Sequence, residues 1–443
     1  MKAVFLCGGV GKRMFPITED KFLLDFLGKT LLEHQILMAK KAGLRSFVII
    51  GNPVNIEQIR RIAAGIKGVK FEFALQKKPL GIADALRSAA SSLGDEILVV
   101  NPNDVFDPLA YGVLLGAPGN CAASSFMLGY RVKQYFPGGY LAVKSNGQLK
   151  RIVEKPEPGT EPSDLVNILL HLHRDAGRLL TYMNYIKTSL DDVYECTMDQ
   201  MVKDGYKIKV TAYDGFWAPI KYPWHLFDVV RFFLDKSVNS IAKSAQISGR
   251  ATIEGKAVIG ENVRVLENAV IRGPAYIGPN TVIGNNALIR DYSHIGANCV
   301  VGFSTEIKNS YVGDNCWFHS SYIGDSIVGD NCSFAAGSVT ANFRFDQGEI
   351  SVKYNGKAIG TGRNHFGAII GDDCRTGINS GILPGRRVGP NSIVGSNVCL
   401  TEDLKPNTIV FNKTRCEFTE NTARSGQPPK ARIKRKKGNA GHR

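Results

Sequence analysis

No apolar stretch among the 443 residues is long enough to cross a membrane. Nor does the start carry the apolar region and cleavage site of a signal peptide; Met1 to Cys7 reads as a short strand running into Gly8 and Gly9. The nine cysteines are odd in number and lack zinc-type pair spacing, which argues against a metal finger and a closed disulfide framework. Cys299, Cys316, Cys332 and Cys374 stand where small core residues are wanted, so a reducing cytoplasm is the expected setting. Acids are absent from Lys430 to Arg443, where seven Lys or Arg stand without interleaved aromatics. Seven of the 15 excess positive charges therefore belong to the tail. The tail reads as a solvated, disordered end, with an arm for nucleic acid or an anionic surface as the sharper alternative. A hydrophobic content of 44% and a charged content of 21% are ordinary for a globular protein, and the length calls for two domains.

What is present is a period of six. Ile241, Ile247, Ile253, Ile259, Val265, Ile271, Ile277, Ile283, Ile289, Ile295, Val301 and Ile307 follow one another at six-residue intervals. Four places after nearly every one stands a small residue, such as Ala245, Ala251, Ala269, Thr281, Ser293 or Cys299. Neither a helix nor a plain amphipathic strand has this period. It implies short strands that turn a corner every six residues and stack as coils of a parallel β-helix, with the aliphatic on the axis and the small residue at the bend. After Ile307 the phase loosens, an insertion follows from Ala341 to Phe366, and the period resumes from Ile370 to Leu400. Within the insertion, Tyr354-Asn355-Gly356-Lys357 reads as a hairpin turn.

The first 230 residues or so alternate instead. Ala3–Leu6, Phe47–Ile50, Glu96–Val100 and Lys207–Thr211 read as strands; Leu31–Ala42, Ile56–Ala64, Ile82–Ala90 and Trp224–Leu234 read as helices. A mainly parallel sheet covered by helices on both faces is expected, a Rossmann-like, doubly wound α/β fold with ligands beyond the carboxyl ends of its strands. Directly after the first strand comes Gly8-Gly9-Val10-Gly11-Lys12-Arg13. Its glycines let backbone N–H groups approach a phosphate chain, and Arg13 adds a cationic fork.

With Lys21, Leu23-Leu24, Gly28-Lys29 and Leu31-Leu32-Glu33, this loop resembles the signature of sugar-1-phosphate nucleotidyltransferases, which opens G-G-x-G-T-R. The resemblance implies a nucleotide-binding stretch at Gln76 and Gly81, a metal-binding aspartate at Asp104, and sugar contacts from Glu154, Lys155 and Asn167. In that reaction a sugar phosphate oxygen attacks the α-phosphorus of a nucleoside triphosphate and pyrophosphate leaves. Arg13, Lys21, Lys155 and a Mg²⁺ on Asp104 would neutralise and align the phosphates. Three positions depart from the family. Pro219 stands where a second metal ligand is usual, two residues after Trp217, and Leu141 and Leu169 replace glycines near the sugar.

A second group lies in the repeats. Arg290 and Lys308 are eighteen residues apart, one full coil if three faces make a turn, so they should project from one face. His319, Tyr322, Gly324 and Asp325 fit H-x-x-Y-x-G-D, and Ala335 to Asn342 fit G-A-G-[ST]-x-T-x-N. These segments resemble the acetyltransferase domain of bifunctional N-acetylglucosamine-1-phosphate uridylyltransferases and their archaeal-type relatives. That resemblance implies a left-handed β-helix trimer, with acetyl-CoA meeting the backbone around Ala336. His319 would be the general base, and Arg290, Lys308, Tyr322 and Asn342 would hold the sugar phosphate. Ser333 departs from the pattern where an asparagine is usual.

The expected organisation is a nucleotidyltransferase domain over residues 1–235, an acyltransferase-like left-handed β-helix over 236–416 and a basic tail over 417–443. UTP or dTTP and a sugar-1-phosphate are the expected substrates of the first part, with Mg²⁺, and acetyl-CoA and an amino sugar phosphate those of the second. A rival reading keeps only acetyl transfer, or makes the chain a non-catalytic assembly subunit like the translation-factor exchange subunits that share this domain pair. Pro219 and the basic tail point toward that rival; Arg13, Lys21, Asp104 and His319 point away from it.

Overall fold

The computed structural model describes residues 1–420 except 10, 118, 120–121, 189–191 and 414–415. Most of the basic tail, from residue 421 on, lies outside the described residues. Residues Met1–Phe411 form one compact unit.

Its first part is built on one large sheet. Neighbouring strands run Leu149–Glu154, Gly139–Val143, Leu165–His173, Ile97–Val100, Lys2–Leu6, Ser46–Gly51 and Lys70–Leu75, with Ser125–Arg131 and Ile208–Ala212 branching from Leu165–His173. The four predicted strands are all present. The half around Lys2–Leu6 is parallel, as is the pairing of Ile208–Ala212 with Ser125–Arg131. From Ile97–Val100 onward most pairings are antiparallel, so the expected mainly parallel sheet is in fact mixed. The strands between 125 and 173 are joined by short loops, not crossover helices, which is what antiparallel neighbours permit. Alternation along Lys2–Leu6 sends Ala3 and Phe5 into one core and Val4 into the other. The first core is covered by helices Leu31–Lys41, Ile56–Ala64 and Leu109–Gly116; the second by Gly81–Ser88, Ala176–Tyr185 and Val193–Lys203. Trp224, expected in the last helix, falls in a 3₁₀ turn just ahead of Leu226–Lys236.

From Ser240 the chain becomes a left-handed β-helix of three parallel sheets, with eight, nine and eight strands. The register of Ser240 against Val258 and Leu288 against Glu306 gives the eighteen-residue coil predicted from the period. Later coils shorten to sixteen residues, Glu306 facing Tyr322 and Tyr311 facing Ile327, which accounts for the altered phase. The axial aliphatics are sealed, Ile271, Ile277, Ile283, Ile289 and Ile295 all at 0% exposure. The small residues Ala269, Ala275, Ala287 and Cys299 are buried beside them. The bend itself is made one residue earlier, by side chains that tolerate a left-handed backbone. Asn262, Asn268, Asn280, Asn286 and Asn298 all have φ between 55° and 58°. Asn262, Asn280 and Asn298 also bond to one another down that corner at 3.1 Å. Tyr354 and Lys357 flank the predicted hairpin turn, whose Asn355 and Gly356 both have positive φ. This hairpin reaches back onto the first part, where the Tyr354 hydroxyl donates to Phe15 O at 3.0 Å.

Candidate active site

Beyond the carboxyl end of Lys2–Leu6 the glycine loop borders a cavity of about 350 Å³, lined by Gly8, Gly9, Gln76, Gly81, Asn101, Asn103 and Leu169 among others. Gln76 is buried and braces this wall. Its amide donates to Gly81 O and Asp84 Oδ2, both at 3.0 Å, while its carbonyl lies so close to Gly8 that a Cβ there would collide with it. Packing against Gln76 therefore favours glycine at position 8. Leu169 lines the cavity without closing it, and Leu141 is buried in the core opposite Ile152.

Asp104 and the cations gather at the neighbouring strand end. The short strands Asp104–Phe106 and Trp217–Pro219 pair antiparallel, which sets Pro219 directly opposite Asp104. Asn101 donates to Asp104 Oδ2 at 3.1 Å. Burial pushes the Asp104 carboxyl up, opposed by the positive charge of Lys221 and by the Asn101 hydrogen bond. Lys21 Nζ donates to Ile220 O at 2.7 Å, tying the loop after the glycines to the segment after Pro219. Burial pulls Lys21 down to about 8, helped by the charge of Arg13 and resisted by Asp104. Arg13 itself is exposed. Lys221 was not marked by any motif, yet it shares this electrostatic neighbourhood. Its position two residues past Pro219 was the available signal.

Nucleotidyltransferases generally use Mg²⁺ and acetyltransferases acetyl-CoA. The donors here do not match a protein-built divalent site. Proline offers no side-chain ligand, and no group of three His, Cys, Asp or Glu side chains is placed to hold a metal among the described residues. What remains is one carboxylate, the buried and otherwise unpartnered Asn103 Oδ1, and ammonium groups nearby.

Glu154, Lys155 and Asn167 come together beside a bare glycine. Lys155 pairs with Glu154 at 3.0 Å. A Cβ on Gly139 would stand 2.9 Å from Glu154 Oε2 and 3.7 Å from Asn167 Cβ, so the glycine keeps the space between them open. Asn167 also heads a buried relay. With its Oδ1 accepting from His171 Nε2–H at 2.8 Å, His171 Nδ1 accepts from the Tyr194 hydroxyl at 2.8 Å. The Tyr194 oxygen then accepts from His173 Nε2–H at 2.7 Å, and His173 Nδ1 accepts from Ser125 at 2.8 Å. Burial holds both rings neutral, pulling His173 down to about 3 and His171 well below its usual value. Asn167 is left with amide N–H groups to offer a ligand.

On the solenoid, Arg290 and Lys308 occupy the same face one coil apart, as their spacing predicts. Each carries its own carboxylate partner: Arg290 bonds Glu306 at 3.0 Å and Lys308 bonds Asp325 at 3.0 Å. Asp325 is buried and also accepts from Asn309 at 2.7 Å and from Asn342, which in turn donates to the Tyr322 hydroxyl at 3.2 Å. Lys308, Asp325, Asn342 and Tyr322 thus form one network with Asp325 at its centre. His319 and Ala336 lie on exposed corners outside that network, and among the described residues His319 is hydrogen-bonded through its backbone alone, its N–H donating to Phe334 O at 2.9 Å and its carbonyl accepting from Ser321 Oγ at 2.9 Å.

A glycine-loop α/β fold joined to a hexapeptide solenoid defines a nucleotidyltransferase with a hexapeptide-transferase extension. A family described as nucleotidyl transferase matches residues 2–208, and one described as bacterial transferase hexapeptide (six repeats) matches residues 367–402. The chain is 34% identical over 425 residues to a Methanococcus maripaludis protein named bifunctional protein GlmU, covering 95% of this chain and 99% of that one. It is 32% identical over 421 residues to a Sulfurisphaera tokodaii bifunctional sugar-1-phosphate nucleotidylyltransferase/acetyltransferase, covering 91% of this chain and 100% of that one. It therefore belongs to the family of bifunctional sugar-1-phosphate nucleotidylyltransferase/acetyltransferases. No helix among the described residues is long and apolar enough to cross a membrane.

Proposed function

We propose that residues 1–235 of this chain join a nucleoside triphosphate, UTP or dTTP, to a sugar-1-phosphate. We further propose that residues 236–416 acetylate an amino sugar phosphate from acetyl-CoA, as a cytoplasmic homotrimer. The observation that carries the first activity is the convergence of the glycine loop, Arg13, Lys21 and Asp104 on one side with Glu154, Lys155 and Asn167 beside Gly139 on the other. In the transfer, a phosphate oxygen of the sugar forms a bond to the α-phosphorus as the bond to the bridging oxygen of pyrophosphate breaks. Arg13 and Lys21 would stabilise the charge on the transferring and leaving phosphates. Gly8, Gly9 and Gly11 would present backbone N–H groups, and Gln76 with Gly81 would frame the nucleobase. Glu154, Lys155 and Asn167 would fix the sugar.

On the solenoid, His319 would take a proton from the sugar amine as its nitrogen attacks the thioester carbonyl. The carbon–sulfur bond then breaks and the thiolate of CoA leaves, taking up a proton. Arg290, Lys308, Tyr322 and Asn342 would bind the phosphorylated sugar, with acetyl-CoA passing Ala336. The test is a pair of assays on one preparation: pyrophosphate release from a panel of triphosphates and sugar-1-phosphates, and thiol release from acetyl-CoA with glucosamine-1-phosphate. Asp104→Ala should abolish the first alone and His319→Ala the second alone. Loss of both activities in either variant would overturn the two-site reading.

A further inference from the structure

Lys221 stands two residues past Pro219, where the chain lacks the second ligand of the family pattern. Pro219 faces Asp104 across the two short strands, and the chain after it is pinned on three sides. Ile220 N donates to Asn103 O at 2.9 Å, Ile220 O accepts from Lys21 at 2.7 Å, and Lys221 N donates to His225 Nδ1 at 3.0 Å. The Lys221 ammonium donates to Pro137 O and lies 3.5 Å above the Phe136 ring, a position that desolvates it and fixes it. A Cβ on Gly138 would come 3.7 Å from this ammonium, and one on Gly139 would come 2.9 Å from Glu154 Oε2. Its ammonium is thus fixed at the sugar side, near Gly138 and Gly139, while its backbone follows the Pro219 that faces Asp104 on the nucleotide side; the charges of Asp104, Arg13, Glu154 and Lys155 lie in its electrostatic neighbourhood. All four charges act on it.

We infer that Lys221 takes the place of a protein-held divalent cation beside Asp104, supplying fixed positive charge to the transferring phosphate while leaving Asp104 a poor metal ligand. The inference rests on the nucleotidyl-transfer reading of this cleft. Its physical basis is direct. A divalent ion needs oxygen donors, and proline supplies none through its side chain. An ammonium fixed in the same cleft as the remaining carboxylate repels a second cation and meets the phosphate as a point charge.

Binding of Mn²⁺ alone to the full-length protein, followed by electron paramagnetic resonance, tests this. The Kd of wild type is expected to be at least tenfold weaker than that of Pro219→Asp combined with Lys221→Ala; a smaller ratio overturns the inference. Should the double variant fail to fold, Lys221→Gln alone carries the test: threefold tighter Mn²⁺ binding supports the inference and any smaller change overturns it. In pyrophosphate release, Lys221→Gln should lower kcat about 10²-fold, the scale of losing one fixed charge-stabilising group. A kcat within threefold of wild type also overturns it. Failure of the underlying reading shows separately, as wild type releasing no pyrophosphate from any substrate pair whatever the Mn²⁺ ratio.

Discussion

Tyr194→Phe removes one oxygen atom and cuts the relay that runs from Ser125 to Asn167. Among the described residues the hydroxyl is the one partner of His171 Nδ1 and of His173 Nε2, both on fully buried rings. Leaving a buried polar atom unpaired costs about 1–3 kcal/mol, so two of them, less the relief of no longer burying a hydroxyl, come to roughly 3 kcal/mol. At about 2–4 °C per kcal/mol for a domain of this size, the first thermal transition should fall by about 6–12 °C. Tyr111→Phe is the matched control, because the Tyr111 hydroxyl is equally buried but has no partner among the described residues. Removing it should leave the transition unchanged or raise it. The functional readout is separate. An Asn167 whose partner His171 has lost the hydroxyl that fixes its ring and tautomer should raise KM for the sugar-1-phosphate about fivefold, the value of one oriented hydrogen bond, with kcat little changed. If Tyr194→Phe lowers the transition no more than Tyr111→Phe does, the relay is not a cooperative unit and the reasoning fails.

Burial keeps His171 and His173 neutral in the fold, His173 down to about 3, whereas an unfolded chain protonates them near 6.5. Below that value the unfolded state binds more protons, so their contribution is present above pH 6.5 and falls as pH drops, by about 2 kcal/mol per ring at pH 5. Ring ¹⁵N shifts should stay constant from pH 8 to 5, and a midpoint near 6.5 on either ring would contradict this. Gly139→Ala places a methyl 2.9 Å from Glu154 Oε2, the movable end of a side chain. It should leave thermal stability nearly unchanged while raising KM for the sugar-1-phosphate at least tenfold, and an unaltered KM would remove Gly139 from the sugar site. Asp325→Asn takes the negative charge from the buried acceptor shared by Lys308, Asn309 and Asn342. Losing a buried ion pair while leaving its cation costs about 3 kcal/mol or more. Thiol release should therefore fall with solenoid stability while pyrophosphate release persists.

The β-helix was legible because each of its determinants is local: one aliphatic every six residues, a small residue four further on, and a two-residue Asn355-Gly356 turn in the insertion. Even its deviation was local, since Val312 and Val328 are visibly sixteen residues apart, the length of the shortened coils. The glycine loop and the first strand were legible for the same reason. The mixed character of the sheet was not, because a buried central strand such as Ile97–Val100 has the same apolar run whether its neighbour is parallel or antiparallel. The cleft was harder still. Asp104 owes its environment to Pro219 and Lys221, more than a hundred residues away, and only the pairing of two three-residue strands brings them together. His171 and His173 do share one strand face, a period-two signal open to inspection, but what they do depends on Tyr194 arriving from a helix about twenty residues on. Motifs thus pick out residues that are local in sequence, such as the glycine loop and the Glu154-Lys155 pair. The groups that set charge and orientation around them follow from long-range pairing, and a substitution judged by motif alone, such as proline for a metal ligand, reads as decay where the fold supplies a lysine.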